Sequence, residues 1–340
     1  MLNSIQTLRA LAAWLVVGHH YMQLAHNFQL SDPISISLQR YGAIGVDLFF
    51  IISGFVIYIS ATGKIITPFE FATHRLARIA PAYWLFTLIT VATLILLPNA
   101  IPLTEFEPAF ALKSLLFAPA QNPSGIGLYP LITVGWTLNY EMAFYGVFLI
   151  SLFLPRNFRI LAITLGVTLL YKAIPSAGGV FAFYNNPIIF EFIFGIFIAF
   201  AHQKGLVQRI NLTAAILMIA ASIGVIVYFG QVTHSPIKSG LPCAIVLLSA
   251  LSQERFFSGA TAIYRLGNWS YSTYLCHVLV ISLMIQLQQL MNLNTFVTLA
   301  MILAIILFVS WFSFHFIETP ISRLAKNGLK KTANSATKPI

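Results

Sequence analysis

The chain has 340 residues, of which 58% are hydrophobic and only 8% charged, far below the roughly 25% charged fraction of soluble domains. That balance excludes an ordinary soluble globular domain and points to a chain built into a membrane. The net charge of +10 would suit a nucleic-acid binder, so its cause lies in where the Lys and Arg fall.

Apolar runs close to the roughly 20 residues that cross a bilayer occur at 5–26, 41–61, 77–97, 128–154, 159–175, 187–202, 211–229, 237–252, 268–290 and 295–317. They predict an all-α integral membrane protein: a bundle of about ten transmembrane helices in one domain over 1–325, followed by a short basic tail at 326–340. The tail reads as a disordered cytoplasmic end touching anionic lipid. Drawn with the N-terminus inside, fourteen of the nineteen Lys and Arg are cytoplasmic, Lys64 and Lys338 among them. Arg40, Lys113, Lys172 and Lys238 fall outside, and Arg9 is intramembrane. This is the positive-inside bias; it puts both termini in the cytoplasm and assigns the basic charge to topology, not to nucleic acid. Cys243 and Cys276 show no C-x-x-C spacing, so neither a disulfide framework nor a metal site is expected.

The first run, IQTLRALAAWLVVGHHYMQ, carries Arg9, His19 and His20. Arg9 lies inside the apolar stretch and no clean small-x-small site follows, so a retained span is expected, not a cleaved leader. Ionisable groups in a membrane are costly and usually face a cavity or a partner. At 100° per residue Arg9 and His20 point within about 20° of each other, roughly 16 Å apart along the axis, whereas His19 points about 80° away. In the second span Asp47 lies at about the same depth as His20, so antiparallel packing would let its carboxylate hold the His20 imidazole as a general base.

Further along, Thr67, Pro68 and Glu70 form a capping-box pattern that starts a cytoplasmic helix. Arg75 and Arg78 share one side of it. The outer loop from 98 to 127 is long for a helix connection, and Thr104 and Glu107 repeat the capping pattern, which suggests an interfacial helix. Glu141 lies in the fourth span and Glu191 in the sixth, with a Gly-rich turn, SAGG, at 176–179 between them. In the ninth, Ser270, Tyr274 and His277 form a polar stripe at offsets of four and seven residues. Each of these could also be a hydrogen bond between helices.

In order, IQTLRALAAWLVVGHH, GVDLFFIISGFVI, RLARIAPAYW, WTLNYEMAFYG, LGNWSYSTYLCHVLV and FHFIETPISR resemble the acyltransferase-3 family of membrane-bound O-acyltransferases, the group with bacterial exopolysaccharide and O-antigen acetyltransferases. The resemblance covers residues 4 to 324 and implies ten core helices in a bacterial inner membrane. It also implies transfer of an acyl group, usually acetyl from cytoplasmic acetyl-CoA, to a hydroxyl of a surface or lipid-linked carbohydrate. Arg9 and His20 match the family's arginine and histidine of the first helix, and Arg75 and Arg78 its acyl-CoA-associated arginine pair. Gly45, Val46 and Asp47, and Trp136, Leu138 and Glu141, match two further motifs. Many relatives carry an aromatic residue where this chain has His19, which leaves the role open between His19 and His20.

The expected catalytic set is therefore His20, Arg9, Asp47 and Glu141, with Arg75 and Arg78 binding acyl-CoA. His19, Trp136, Ser270, Tyr274 and His277 are expected to line or support the site. No metal is expected. The rival class is a transporter or flippase with an Asp/Glu/His proton relay; the lack of visible internal repeats speaks against it.

Overall fold

The computed structural model describes residues 2–63, 66–102, 104–259 and 261–336; Lys64 and Lys338 of the charge count lie outside them. In chain order the α-helices are α1 (Asn3–His26), α2 (Pro33–Tyr41), α3 (Ile44–Thr62), α4 (Pro68–Leu96), α5 (Pro108–Leu115), α6 (Trp136–Ser151) and α7 (Arg156–Lys172). They continue as α8 (Glu191–Gln203), α9 (Leu212–Tyr228), α10 (Leu241–Ser252), α11 (Thr261–Met291), α12 (Thr295–Ser313) and α13 (Thr319–Ala336). No strand occurs among the described residues.

Most of each of the ten apolar runs is α-helical, though α1, α4, α7 and α11 begin before their runs do. Among the described residues five segments are long and apolar enough to cross a membrane: α3, α4, Arg156–Ala177, α11 and Thr295–Leu329. The apolar segments holding α8, α9 and α10 are shorter. Where the sequence leaves a loose tail after 325, α13 stays helical to Ala336.

Local chemistry sets where helices begin. The Thr67 hydroxyl accepts from the Glu70 N–H and the Glu70 carboxylate accepts from the Thr67 N–H at 2.8 Å, so the predicted capping box forms. The helix it starts is one continuous 29-residue α4, with Pro81 inside it. The second predicted box does not form. There α5 starts at Pro108 with Glu107 as a cap that makes no side-chain bond, while the Thr104 hydroxyl turns to the Pro102 carbonyl. A proline whose ring presets φ and whose N–H is absent is suited to the first helical position, so the helix begins too late for Thr104 to cap it. Asp32 caps α2 through the Ile34 and Ser35 N–H groups; hydrogen bonds from the Ser35 side chain and backbone hold its carboxyl below the usual range.

The centre of the bundle is α1 packed on α11 and α3, with α3 in turn against α8. Small residues allow this approach, as is usual between helices in lipid. A Cβ on Gly45 would stand 2.1 Å from the Ala12 carbonyl oxygen, and one on Gly267 would stand 2.0 Å from that of Gln6. Gly45 therefore fixes α3, and Gly267 fixes α11, at backbone contact with α1. The N-terminus of α1 is tied to the same end of the bundle as the start of α11 by Gln6 Nε2 donating to Asn268 Oδ1 at 2.6 Å.

Two π-helical segments, Pro236–Gly240 and Phe314–Glu318, interrupt the regular helices. Single π turns rotate the residues around them and often mark functional positions. Here they aim Ser239 at Asp47 and Glu318 at Arg78.

Candidate active site

Two chambers enter the bundle from opposite ends. The first, of about 540 Å³, opens where α4 begins and α12 gives way to α13. Its cations come from three helices: Arg9 from α1, Arg75 and Arg78 from α4, and Arg323 and Lys326 from α13. Glu141 and Glu318 also line it. We refer to it as the basic chamber.

The two arginines of α4 are not equivalent. Arg78 forms a salt bridge with Glu318, whose side chain is 1% exposed, and its guanidinium lies 5.5 Å over the Tyr271 ring. Glu318 also accepts from the Ser272 hydroxyl at 2.6 Å. Among the described residues Arg75 has no carboxylate partner: its guanidinium donates to Ser60 Oγ and rests against Phe71 and Tyr145. Its Nε is buried without a hydrogen-bond partner. Arg75 thus has donor capacity for a ligand and no carboxylate among the described residues drawing on its charge, whereas Arg78 is already paired with Glu318. Glu141 accepts from Ser53 at 2.7 Å and Tyr145 at 2.6 Å, which holds its carboxylate at the chamber wall.

The second chamber, of about 570 Å³, is lined by His19, His20 and His234 together with Trp136, Tyr140 and Phe183. We refer to it as the imidazole chamber. His20 Nδ1 lies 3.1 Å from both the Val16 carbonyl and His277 Nε2. His277 Nδ1 lies 3.2 Å from the Thr273 carbonyl. A ring nitrogen facing a carbonyl has to carry the proton, which settles both tautomers. His277 donates from Nδ1 and accepts at Nε2; His20 donates from Nδ1 and keeps the Nε2 lone pair for the chamber.

His19 lies 3.3 Å from the Leu38 carbonyl through Nδ1 and packs on Phe28, yet it also lines the chamber. Ser270 lines the basic chamber, with its hydroxyl donating to the Gly267 carbonyl. Tyr274 and Val46 line both chambers and form their junction. The Tyr274 hydroxyl donates to the Val134 carbonyl at 2.9 Å and lies 3.0 Å from Thr137 Oγ1. The ninth-span stripe thus runs from one chamber through the junction to the imidazole pair.

The predicted contact between Asp47 and His20 is not made. Asp47 is fully buried; its Oδ2 takes His234 Nδ1 at 2.9 Å and its Oδ1 takes the Ser239 hydroxyl at 2.5 Å. Helix geometry explains the difference. Gly45 faces α1, and two residues further round the helix is about 200° away, so Asp47 points off α1 toward the segment bearing His234. Behind it lies Glu191, also fully buried and close against Gly240.

Residues 2–315 match the acyltransferase-3 sequence family, described as an acyltransferase domain. The chain belongs to the acyltransferase-3 family. It is 38% identical over 255 residues to the exopolysaccharide production protein ExoZ of Rhizobium meliloti (strain 1021), an alignment covering 71% of this chain and 77% of that protein. It is 26% identical over 310 residues to the acyltransferase MdmB of Streptomyces mycarofaciens, covering 82% of this chain and 79% of that one. No solved structure matches.

Within this acyltransferase-3 chain, sequence reasoning gives no site role to several groups at the chambers, Arg323, Lys326, Tyr140 and Phe183 as well as Glu318 and His234. Glu318 stands in the quoted FHFIETP motif without a role, because nothing local shows that a π turn points it at Arg78. His234 falls in a short loop between two apolar runs, and its partner is 187 residues away. Among the described residues no cluster of three His, Cys, Asp or Glu side chains could hold a metal ion.

Proposed function

We propose that this protein moves an acyl group, acetyl by family habit, from cytoplasmic acyl-CoA to a hydroxyl of a cell-surface or lipid-linked carbohydrate. The observation that carries the reading is the meeting of a cationic chamber and an imidazole chamber at Val46 and Tyr274. On this reading ten helices cross a bacterial inner membrane, both termini are cytoplasmic, and the basic chamber opens to the cytoplasm.

Acyl-CoA enters that chamber phosphates first against Arg75, Arg323 and Lys326, where guanidinium groups can make charge-assisted bonds to phosphate oxygens. The buried unpaired Nε of Arg75 fits such a ligand. The pantetheine arm runs inward past Arg9 and brings the thioester to the junction. A thioester is already activated, so the remaining tasks are to position the acceptor and remove its proton. The acceptor enters the imidazole chamber from outside. His20 Nε2 takes the hydroxyl proton as the oxygen attacks the thioester carbonyl; the tetrahedral intermediate then collapses with cleavage of the C–S bond, and the departing thiolate takes the proton back from His20 and leaves toward the cytoplasm as coenzyme A thiol. His277 positions His20 by accepting its Nδ1 proton bond.

The test uses purified protein with labelled acetyl-CoA, with and without a crude surface-glycan fraction. The reading predicts free coenzyme A thiol and labelled glycan appearing together, both dependent on the glycan. Thiol release that ignores the glycan, or no release at all, would overturn it.

A further inference from the structure

The three imidazoles of the imidazole chamber are held in different ways. His19 and His20 face backbone carbonyls and, for His20, another neutral ring. His234 alone is held by a carboxylate, and its side chain is 24% exposed while Asp47 is wholly buried. Asp47 sits in the first turn of α3 and is fixed from the other side by Ser239. With Nδ1–H given to Asp47, the neutral His234 tautomer presents its Nε2 lone pair to the chamber as an oriented hydrogen-bond acceptor. Its backbone has φ of +52°, a left-handed conformation uncommon for a side-chain-bearing residue and frequent at ligand clamps.

Beside it stands an aromatic wall. Trp136 lies 5.9 Å from the His234 ring and 5.9 Å, edge-on, from Tyr140, which stacks on Phe183 at 4.5 Å. Aromatic faces accept the apolar C–H face of a sugar ring while neighbouring polar groups take its hydroxyls. No Lys, Arg, Asp or Glu lines this chamber among the described residues, in contrast to the five cations of the other. A uronate or sugar phosphate would have to leave water with no counter-charge, which is strongly unfavourable. A neutral ring meets no such penalty.

We infer that the imidazole chamber is a subsite for an uncharged sugar ring, stacked on Trp136, which the buried Tyr140 backs, and oriented by a hydroxyl donating to His234, which Asp47 holds in place. The inference rests on the acyltransferase reading above for its purpose, though not for its test. His234 is a positioning residue here: it holds a hydroxyl next to the one that His20 deprotonates.

The experiment measures binding without acyl-CoA, so that failure of transfer and failure of this subsite are separable. Methyl β-glucoside and methyl β-glucuronide are titrated against the purified full-length protein, with saturation-transfer NMR as the readout. The glucoside should bind, and the glucuronide at least about tenfold more weakly. His234→Ala should weaken the glucoside by about tenfold, the loss of roughly one hydrogen bond. His234→Gln, whose amide oxygen can still accept, should recover part of that loss, with size-exclusion behaviour showing that both variants are folded. Equal or tighter glucuronide binding, absence of glucoside binding, or unchanged binding in His234→Ala would each overturn the proposal.

Discussion

His20→Ala should lower acyl transfer by about 10²- to 10⁴-fold, the usual range for a lost general base, while acyl-CoA still binds with wild-type affinity. The separation of effects follows from the two chambers. His20 lines the imidazole chamber alone, and the cations assigned to the donor lie in the other. His277→Ala should give a smaller loss, because it removes the group that fixes the His20 ring and leaves the basic nitrogen. The Val16 carbonyl still accepts the same Nδ1 proton. Stopped assays of labelled acceptor, read beside equilibrium binding of acyl-CoA, check both. If His20→Ala keeps activity within tenfold of wild type, the base is elsewhere, and His19, in the same chamber, becomes the first group to replace.

Arg78→Ala and Arg75→Ala should fail in different ways, although the two arginines are three residues apart on one helix. Removing Arg78 strands the Glu318 carboxylate, which is 1% exposed. Breaking one side of a buried ion pair costs roughly 3–5 kcal/mol, with the lower end expected because Arg78 is itself partly open to solvent. Arg78→Ala should therefore show low folded yield and a lowered thermal midpoint, and Arg78→Ala with Glu318→Gln should recover much of that stability. Arg75→Ala removes no carboxylate's partner. It should keep the thermal midpoint near wild type and weaken acyl-CoA binding about tenfold or more, since hydrogen bonds to charged groups contribute roughly 1.5–3 kcal/mol. Thermal unfolding in detergent and coenzyme A titration separate the two outcomes. A stable Arg78→Ala protein with normal affinity would show that the Glu318 pair supports neither fold nor site.

Patterns that depend on a single helix are visible in the sequence. Apolar runs predict where helices lie, and the Thr67–Glu70 box and the common face of Arg9 and His20 follow from helical periodicity alone. Contacts between helices depend on which face each one turns to its neighbours, and apolar content does not report that. Asp47 shows the limit: its depth suits a contact with His20, but Gly45 two residues earlier is what touches α1, so the carboxylate faces His234 instead. Glu318 shows a second limit, since a π turn shifts the phase that a regular helix would predict. Pro108 shows a third, where a strong local start signal displaces the Thr104 capping pattern. Of the family's motif residues, Arg9, Arg75, Arg78 and Glu141 line one chamber and His20 and Trp136 the other, and one of the paired arginines is already engaged by Glu318.

The most direct measurement of the account reconstitutes the protein in one orientation in vesicles, with neutral glycan on the face where the imidazole chamber opens and labelled acetyl-CoA on one face at a time. Two chambers that meet at Val46 and Tyr274 predict labelled glycan only when acetyl-CoA is supplied at the face of the basic chamber, with free coenzyme A thiol appearing on that same face. Labelling only when both substrates share a face, or passage of unmodified glycan across the vesicle with no thiol released, would contradict it.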